Sequence, residues 1–245
     1  MKSELRTLAL ALIGSLLLWN LPHGGFVLYP FKVIATWLHE LSHGLMMILT
    51  GAQLDRVVIY KDTSGLSFAD YAISPSGTAA IAAAGYMGTP FWGAVMLVAA
   101  RTPKSARYVL IVWALLMFAT VIFAIVPTPE EGRFGQYAIA AIASALVAIA
   151  FLAPPRWRLF AVHFLAAQAC INALLDIRVL LRPTQTVGGV VSTSDATAMA
   201  DAVFGEHQTW QVYLWSILWL AWSLLSLFIA LRLRDRGREP SDVAV

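Results

Sequence analysis

Apolar residues run along this chain in long unbroken blocks, and polar residues gather in the gaps between them. Seven stretches stand out: Leu5–Leu21, Phe26–Thr50, Gly77–Ala100, Arg107–Val126, Phe134–Ala153, Trp157–Leu181 and Gln211–Leu231. A bilayer core takes about 20 mostly apolar residues in a helix. In lipid every backbone polar group must be paired within its own segment, so each stretch is predicted to be a transmembrane helix. The expected fold class is therefore an all-α polytopic membrane protein of about seven transmembrane helices. No internal repeat stands out, and one membrane-embedded domain over residues 1–245 accounts for the chain, with 232–245 as a basic tail.

Local chemistry refines two of these stretches. The first follows a basic start, Met1–Arg6, as a signal peptide would. Trp19-Asn20-Leu21-Pro22-His23 lacks the small-residue cleavage pattern, so the stretch is read as a retained span. In the second, proline suits a first helical turn and disrupts later ones. That helix is expected to begin near Pro30, with Gly24–Tyr29 extended or re-entrant.

The gaps carry structure too. Within residues 51–76, Arg56–Tyr60 and Leu66–Ala69 are β-prone runs flanking the polar turn Lys61–Gly65, which predicts a β-hairpin at the membrane. Within Arg182–Trp210, Ser194 or Asp195 would cap a short helix over Ala196–Val203.

Composition narrows the function. Hydrophobic residues make up 59% and charged residues 13%, about half the charge of a soluble domain. This excludes a soluble enzyme, a disordered chain and a nucleic-acid-binding module. The net charge of +3 comes from Lys and Arg clustered beside the apolar blocks. With seven spans, Lys32, Arg101, Lys104, Arg107, Arg156, Arg158 and the tail arginines fall on one face, which the positive-inside rule would make cytoplasmic. A single cysteine, Cys170, allows neither an internal disulfide nor a thiolate metal cluster.

The chemistry is concentrated in the second stretch, at Leu38-His39-Glu40-Leu41-Ser42-His43-Gly44. Residues i and i+4 share a helix face, so His39 and His43 can hold one metal while Glu40 reaches the water that the metal activates. Zinc suits imidazole and carboxylate donors and keeps a position open for water. Glu40 would act as general base and then protonate the leaving amine. At these residue frequencies the pattern arises by chance about 0.002–0.003 times in such a chain. Three ionisable groups within five residues of a membrane helix are costly in hydrocarbon and mark a site. The third ligand should be intramembrane, acidic or histidine, and far from the start of the chain in sequence. Asp176, sharing a helix face with Asn172, is the first candidate, and its alternative role is an ion pair with Arg178 or Arg182. Asp195 is the rival ligand, and its alternative role is a helix cap. His163 reads as a core histidine, while His23 and His207 fall in loops.

These pieces resemble the site-2 protease family of intramembrane zinc metalloproteases, in its small bacterial branch without a separate peptide-binding domain. The resemblance rests on Leu38–Gly44, Ala84-Gly85-Tyr86-Met87-Gly88, Asn172–Asp176 and Ser194–Ala200, which together reach across most of the chain. It implies one Zn2+ per chain held by His39, His43 and an aspartate, with Glu40 as general base. It also implies a hairpin that guides substrate, membrane-protein substrates with transmembrane helices, and a multi-pass protein of a bacterial inner or plasma membrane. The family's later motif carries Asn and Pro ahead of Leu-Asp-Gly. Here Leu175-Asp176 is followed by Ile177, with no proline after Asn172, so the third ligand departs from the pattern. The family's cytosol-facing active site also runs against the charge count.

The mechanism sets further expectations. A helical substrate must unwind to expose a peptide bond, and an extended segment could then pair with the edge of the Arg56–Ala69 hairpin. Gly85, Tyr86 and Gly88 would allow close helix approach or touch substrate. Water requires a polar cleft, expected along Ser42, Asn172 and Thr89. The alternative functions are a catalytically silent member of the same fold that binds membrane partners, a zinc hydrolase acting on lipid or another amide, and a transporter. Paired halves would mark a transporter, and none is seen.

Overall fold

The computed structural model describes residues 13–14, 17–69, 74–180 and 184–236. The start of the first predicted span, Arg182 and the last residues of the basic tail lie outside them. The described elements run α1 (Gly24–Leu49), β1 (Leu54–Ile59), β2 (Gly65–Ala69), α2 (Pro75–Ala99), α3 (Pro103–Phe123), α4 (Phe134–Leu152), α5 (Pro155–Leu180), β3 (Thr184–Val187), β4 (Val190–Thr193), α6 (Asp195–Phe204) and α7 (Thr209–Arg236).

Five of these helices, α2, α3, α4, α5 and α7, are long and apolar enough to cross a membrane. That is fewer than the seven predicted. The first span falls partly outside the described residues. The second, α1, has 26 residues, about 39 Å at 1.5 Å per residue, but Lys32, His39, Glu40 and His43 dilute its apolar character. The chain is a mostly helical membrane protein.

Caps fix where the helices start. The Ser74 hydroxyl accepts from the Gly77 N–H, with Pro75 in the first turn. Thr102 and Ser105 form a reciprocal capping box ahead of α3. Proline fits a first turn, where its missing N–H costs no hydrogen bond. These helices therefore begin at Pro75 and Pro103, ahead of the predicted Gly77 and Arg107. Pro30 behaves differently from expectation: α1 runs through it from Gly24, so Gly24–Tyr29 is helical. Proline's fixed φ is a helical one, and so near the helix start it leaves only one carbonyl, that of Phe26, without its usual donor.

The predicted hairpin forms, antiparallel, with Val57 opposite Ser67 and Ile59 opposite Gly65. The outer edge of β1 is covered. The Val57 N–H donates to the Ala124 carbonyl (2.9 Å), and the Val126 N–H donates to the Val57 carbonyl (3.1 Å). A second hairpin, β3–β4, turns through Gly188 and Gly189, whose φ angles of 55° and 81° only glycine adopts freely.

The core clamps α1 in place. The buried Trp37 donates its indole N–H to Thr120 Oγ1 on α3 (2.8 Å). Its ring meets Trp113 edge-on, and Trp113 in turn meets Trp92 of α2. Large apolar side chains elsewhere, such as Leu116, Phe123, Ile217 and Phe228, are exposed, as expected of a surface solvated by lipid.

Candidate metal centre

His39 and His43 stand one helical turn apart on α1, and Asp195 opens α6. Ser194 places that aspartate by capping α6, its hydroxyl accepting from the Thr197 N–H (3.2 Å). A carboxylate in a first turn is also favoured by the helix dipole. Asp195 Oδ2 lies 3.0 Å from His39 Nε2 and 3.3 Å from His43 Nε2, and the two Nε2 atoms are 2.9 Å apart. Edges of roughly 3.3 Å separate ligands held about 2.0 Å from a tetrahedral zinc.

The surroundings orient this donor set. His43 Nδ1–H donates to the Ile81 carbonyl at 2.7 Å, which leaves the Nε2 lone pair facing the cluster. His39 packs edge-on against Tyr86 at 4.8 Å between ring centres, and Tyr86 stacks on Trp219 of α7. Burial opposes charge on Asp195, but the adjoining imidazoles hold its carboxyl well below the usual carboxylate range. Two imidazole nitrogens and a carboxylate oxygen converging on one point repel unless a cation or proton lies among them. The donor set therefore fits zinc.

Gly85 explains why the cluster can form. A Cβ there would lie 2.4 Å from both Nε2 atoms and push the two rings out of place. Gly88 gives the same room to Ser42, whose hydroxyl a Cβ would approach to 2.0 Å. The glycines of the Ala84–Gly88 motif thus admit side chains of α1.

Glu40 faces the hairpin. The Ser67 hydroxyl lies 2.7 Å from Glu40 Oε2 and 3.0 Å from the Glu40 carbonyl, so β2 steadies this carboxylate. Gly65 is the other close approach: a Cβ there would meet Glu40 Cγ and Thr36 Cγ2, both at 2.8 Å. Thr36 donates to the Thr63 carbonyl and ties the turn to α1.

A cleft of ≈ 240 Å³ reaches the site past His39, Glu40, Tyr86, Thr89, Asp176 and Thr186. The two hairpins meet at its mouth, where the Gly188 N–H donates to Ser64 Oγ (3.1 Å).

Among the described residues, the ionisable side chains that gather within 4.8 Å are His39, His43 and Asp195, and Asp176 is not among them. Asp176 instead lines the cleft. Its proposed pairing with Arg178 or Arg182 rests on side chains outside the described ones. Thr89 lines the cleft as expected. Ser42 and Asn172 do not: both are buried, and Ser42 bonds the Leu38 carbonyl and the Trp92 indole. His163 is buried against the Ala100 carbonyl, and His207 is exposed beside Asp201. The sequence reading missed Ser67. Its β-strand phase, facing α1 two residues from Gly65, was the available signal.

A family model described as Peptidase M50B-like matches residues 7–230 of the chain. No curated protein and no solved structure matches it.

Proposed function

The chain belongs to the Peptidase M50B-like family, and we propose that it is an intramembrane zinc-dependent endopeptidase that hydrolyses peptide bonds in or near transmembrane segments of membrane proteins. The observation that carries this is the convergence of His39, His43 and Asp195, with His39 and its neighbour Glu40 lining the cleft. His39, His43 and Asp195 would hold one zinc ion per chain. Zinc bound there would supply a Lewis acid for the peptide carbonyl and make water acidic near neutral pH.

The protein's own groups do the rest. Glu40 lines the cleft with its carboxylate aligned by Ser67. It takes the proton from the attacking water and passes it to the leaving amine. Tyr86, wedged between His39 and Trp219, fixes the imidazole face and one wall of the cleft. Asp176, from α5, adds a carboxylate to another wall.

Substrate alignment falls to β2. Val57 turns its N–H and carbonyl away from β2, toward Ala124 and Val126. In an antiparallel ladder the residue opposite, Ser67, then turns its own backbone groups to the other edge. Among the described residues no strand pairs with that edge. An unwound substrate segment added there regains the hydrogen bonds lost from its helix, next to Glu40. The protein would act in a bacterial inner or plasma membrane.

Two measurements test this together. Purified protein should carry about one zinc per chain, and a folded, zinc-free preparation would count against it. Glu40→Gln should keep zinc and fold, while cells carrying it accumulate intact membrane proteins that the parent cleaves. Identical membrane proteomes would sink the reading.

A further inference from the structure

At the ends of the spans remote from the metal centre, α3 and α5 begin side by side. A cavity of ≈ 440 Å³ between their N-termini is lined by Thr102, Lys104, Arg107, Tyr108 and Arg158. Arg158 and Asp176 lie 18 residues apart on α5, about 27 Å at 1.5 Å per residue. The cavity therefore sits nearly a bilayer core away from the catalytic cleft.

Its charge is one-sided. Residues 101–107 and 154–158 contain five cations and no carboxylate. Among the described residues, no acidic side chain pairs with Lys104, Arg107 or Arg158. Arg107 instead lies over the Phe151 ring, 4.5 Å from its centre. The Arg158 Nε–H is buried with no hydrogen-bond partner. Arg158, lining one cavity with two more cations, calls for an anion with several acceptor oxygens. Each helix opens with a proline, at Pro103 and Pro155, and both positive dipole ends point into the same space. Phosphate is the group that suits this set.

A second cavity indicates what carries the phosphate. A groove of ≈ 490 Å³ starts at Ala153 and Trp157, the corner joining α4 to α5, and continues past Leu146, Ile149, Phe160 and Phe164. It is apolar throughout and lies at the depth of lipid tails, with Trp157 at the interfacial level that tryptophan favours. Cationic pocket and apolar groove meet at one corner, as the head and tail of an amphiphile do.

We propose that the α3–α5 pocket binds the phosphate of an anionic phospholipid, with an acyl chain lying in the α4–α5 groove. Lys104 and Arg107 draw the headgroup in, Arg158 donates to its oxygens, and the lipid fixes the depth at which this end of the bundle sits. The inference is independent of the peptidase reading.

The test uses the full chain in nanodiscs of phosphatidylcholine with increasing phosphatidylglycerol, with retained lipid counted by native mass spectrometry. A cation near the membrane surface contributes about a five-fold gain in binding. Lys104→Gln should therefore weaken phosphatidylglycerol retention about five-fold, and the Lys104→Gln/Arg158→Gln pair about twenty-five-fold. Lys104 is exposed, so its replacement leaves the fold intact. Arg56→Gln, on the β1–β2 hairpin, should change nothing, nor should phosphatidylcholine retention change in any variant. Undiminished phosphatidylglycerol retention in the double variant overturns the proposal, as does an equal loss in Arg56→Gln. Inorganic phosphate binding as tightly as the lipid in detergent would assign the pocket to free phosphate and overturn the lipid.

Discussion

Gly85→Ala separates helix stability from the metal centre, because the two respond with opposite sign. Gly85 lies in the interior of α2, where exchanging glycine for alanine raises helix stability by about 0.8–1 kcal/mol. The new methyl, however, would lie 2.4 Å from His39 Nε2 and from His43 Nε2. Ordinary contact begins at 3.4 Å, so each ring must retreat by about 1 Å. Zinc sites tolerate roughly 0.2 Å in ligand distance. His43 has little freedom to move, since its Nδ1–H is held by the Ile81 carbonyl. Changes that merely reorient ligands cost 10–100-fold in metal affinity, and this one displaces two ligands at once. Zinc affinity should fall at least 100-fold, about 2.7 kcal/mol, while helical content is kept. Chelator competition on the purified chain measures the first, and circular dichroism the second. Gly25→Ala, with nothing within 4 Å of its Cβ position, is the control. A Gly85→Ala chain that binds zinc as tightly as the parent would refute the geometry of the site.

The third ligand is decided by zinc content: Asp195→Ala should lose the metal and Asp176→Ala should keep it, and the reverse pattern would return the role to Asp176. Ser67→Ala removes a hydrogen bond to the Glu40 carboxylate, a contact type worth about 1.5–3 kcal/mol. Its cleavage rate should drop about ten-fold or more with zinc content unchanged, and a parent-like rate would mean that Glu40 needs no such alignment.

The resemblance to site-2 proteases agrees with the family match, and the elements that were legible share a property: their signal is local. The first hairpin could be read because Arg56–Tyr60 and Leu66–Ala69 are β-prone and Asp62–Gly65 is a turn by its own chemistry. Asp62 Oδ1 takes the Ser64 N–H (2.8 Å), an interaction complete within three residues. Ser194 capping a short helix is equally local. The second hairpin was legible in principle, since Gly188-Gly189 between β-branched runs is a two-residue turn signal, yet its polarity made it look like a plain loop. Helices with a proline in the first turn start two to four residues ahead of the apolar stretch that marks them, at Pro75, Pro103 and Pro155, and α1 starts six residues ahead of Pro30.

Asp195 shows where local reading ends. Asp176 lies in an apolar helix, where a carboxylate is costly and so conspicuous, whereas Asp195 lies in a polar loop segment where aspartate is ordinary. Cost singles out residues that must be compensated, but it does not say which polar group travels to meet them. That is set by the β3–β4 hairpin docking on Ser64 and by the Ser194 cap, which together carry a residue 156 positions from His39 to within 3.0 Å of it. Gly85 records the same meeting from the other helix: a missing side chain has no hydropathy, so no periodicity marks it. A motif such as His39–His43 therefore announces that a site exists, while the pieces that complete it come from segments whose own composition is unremarkable.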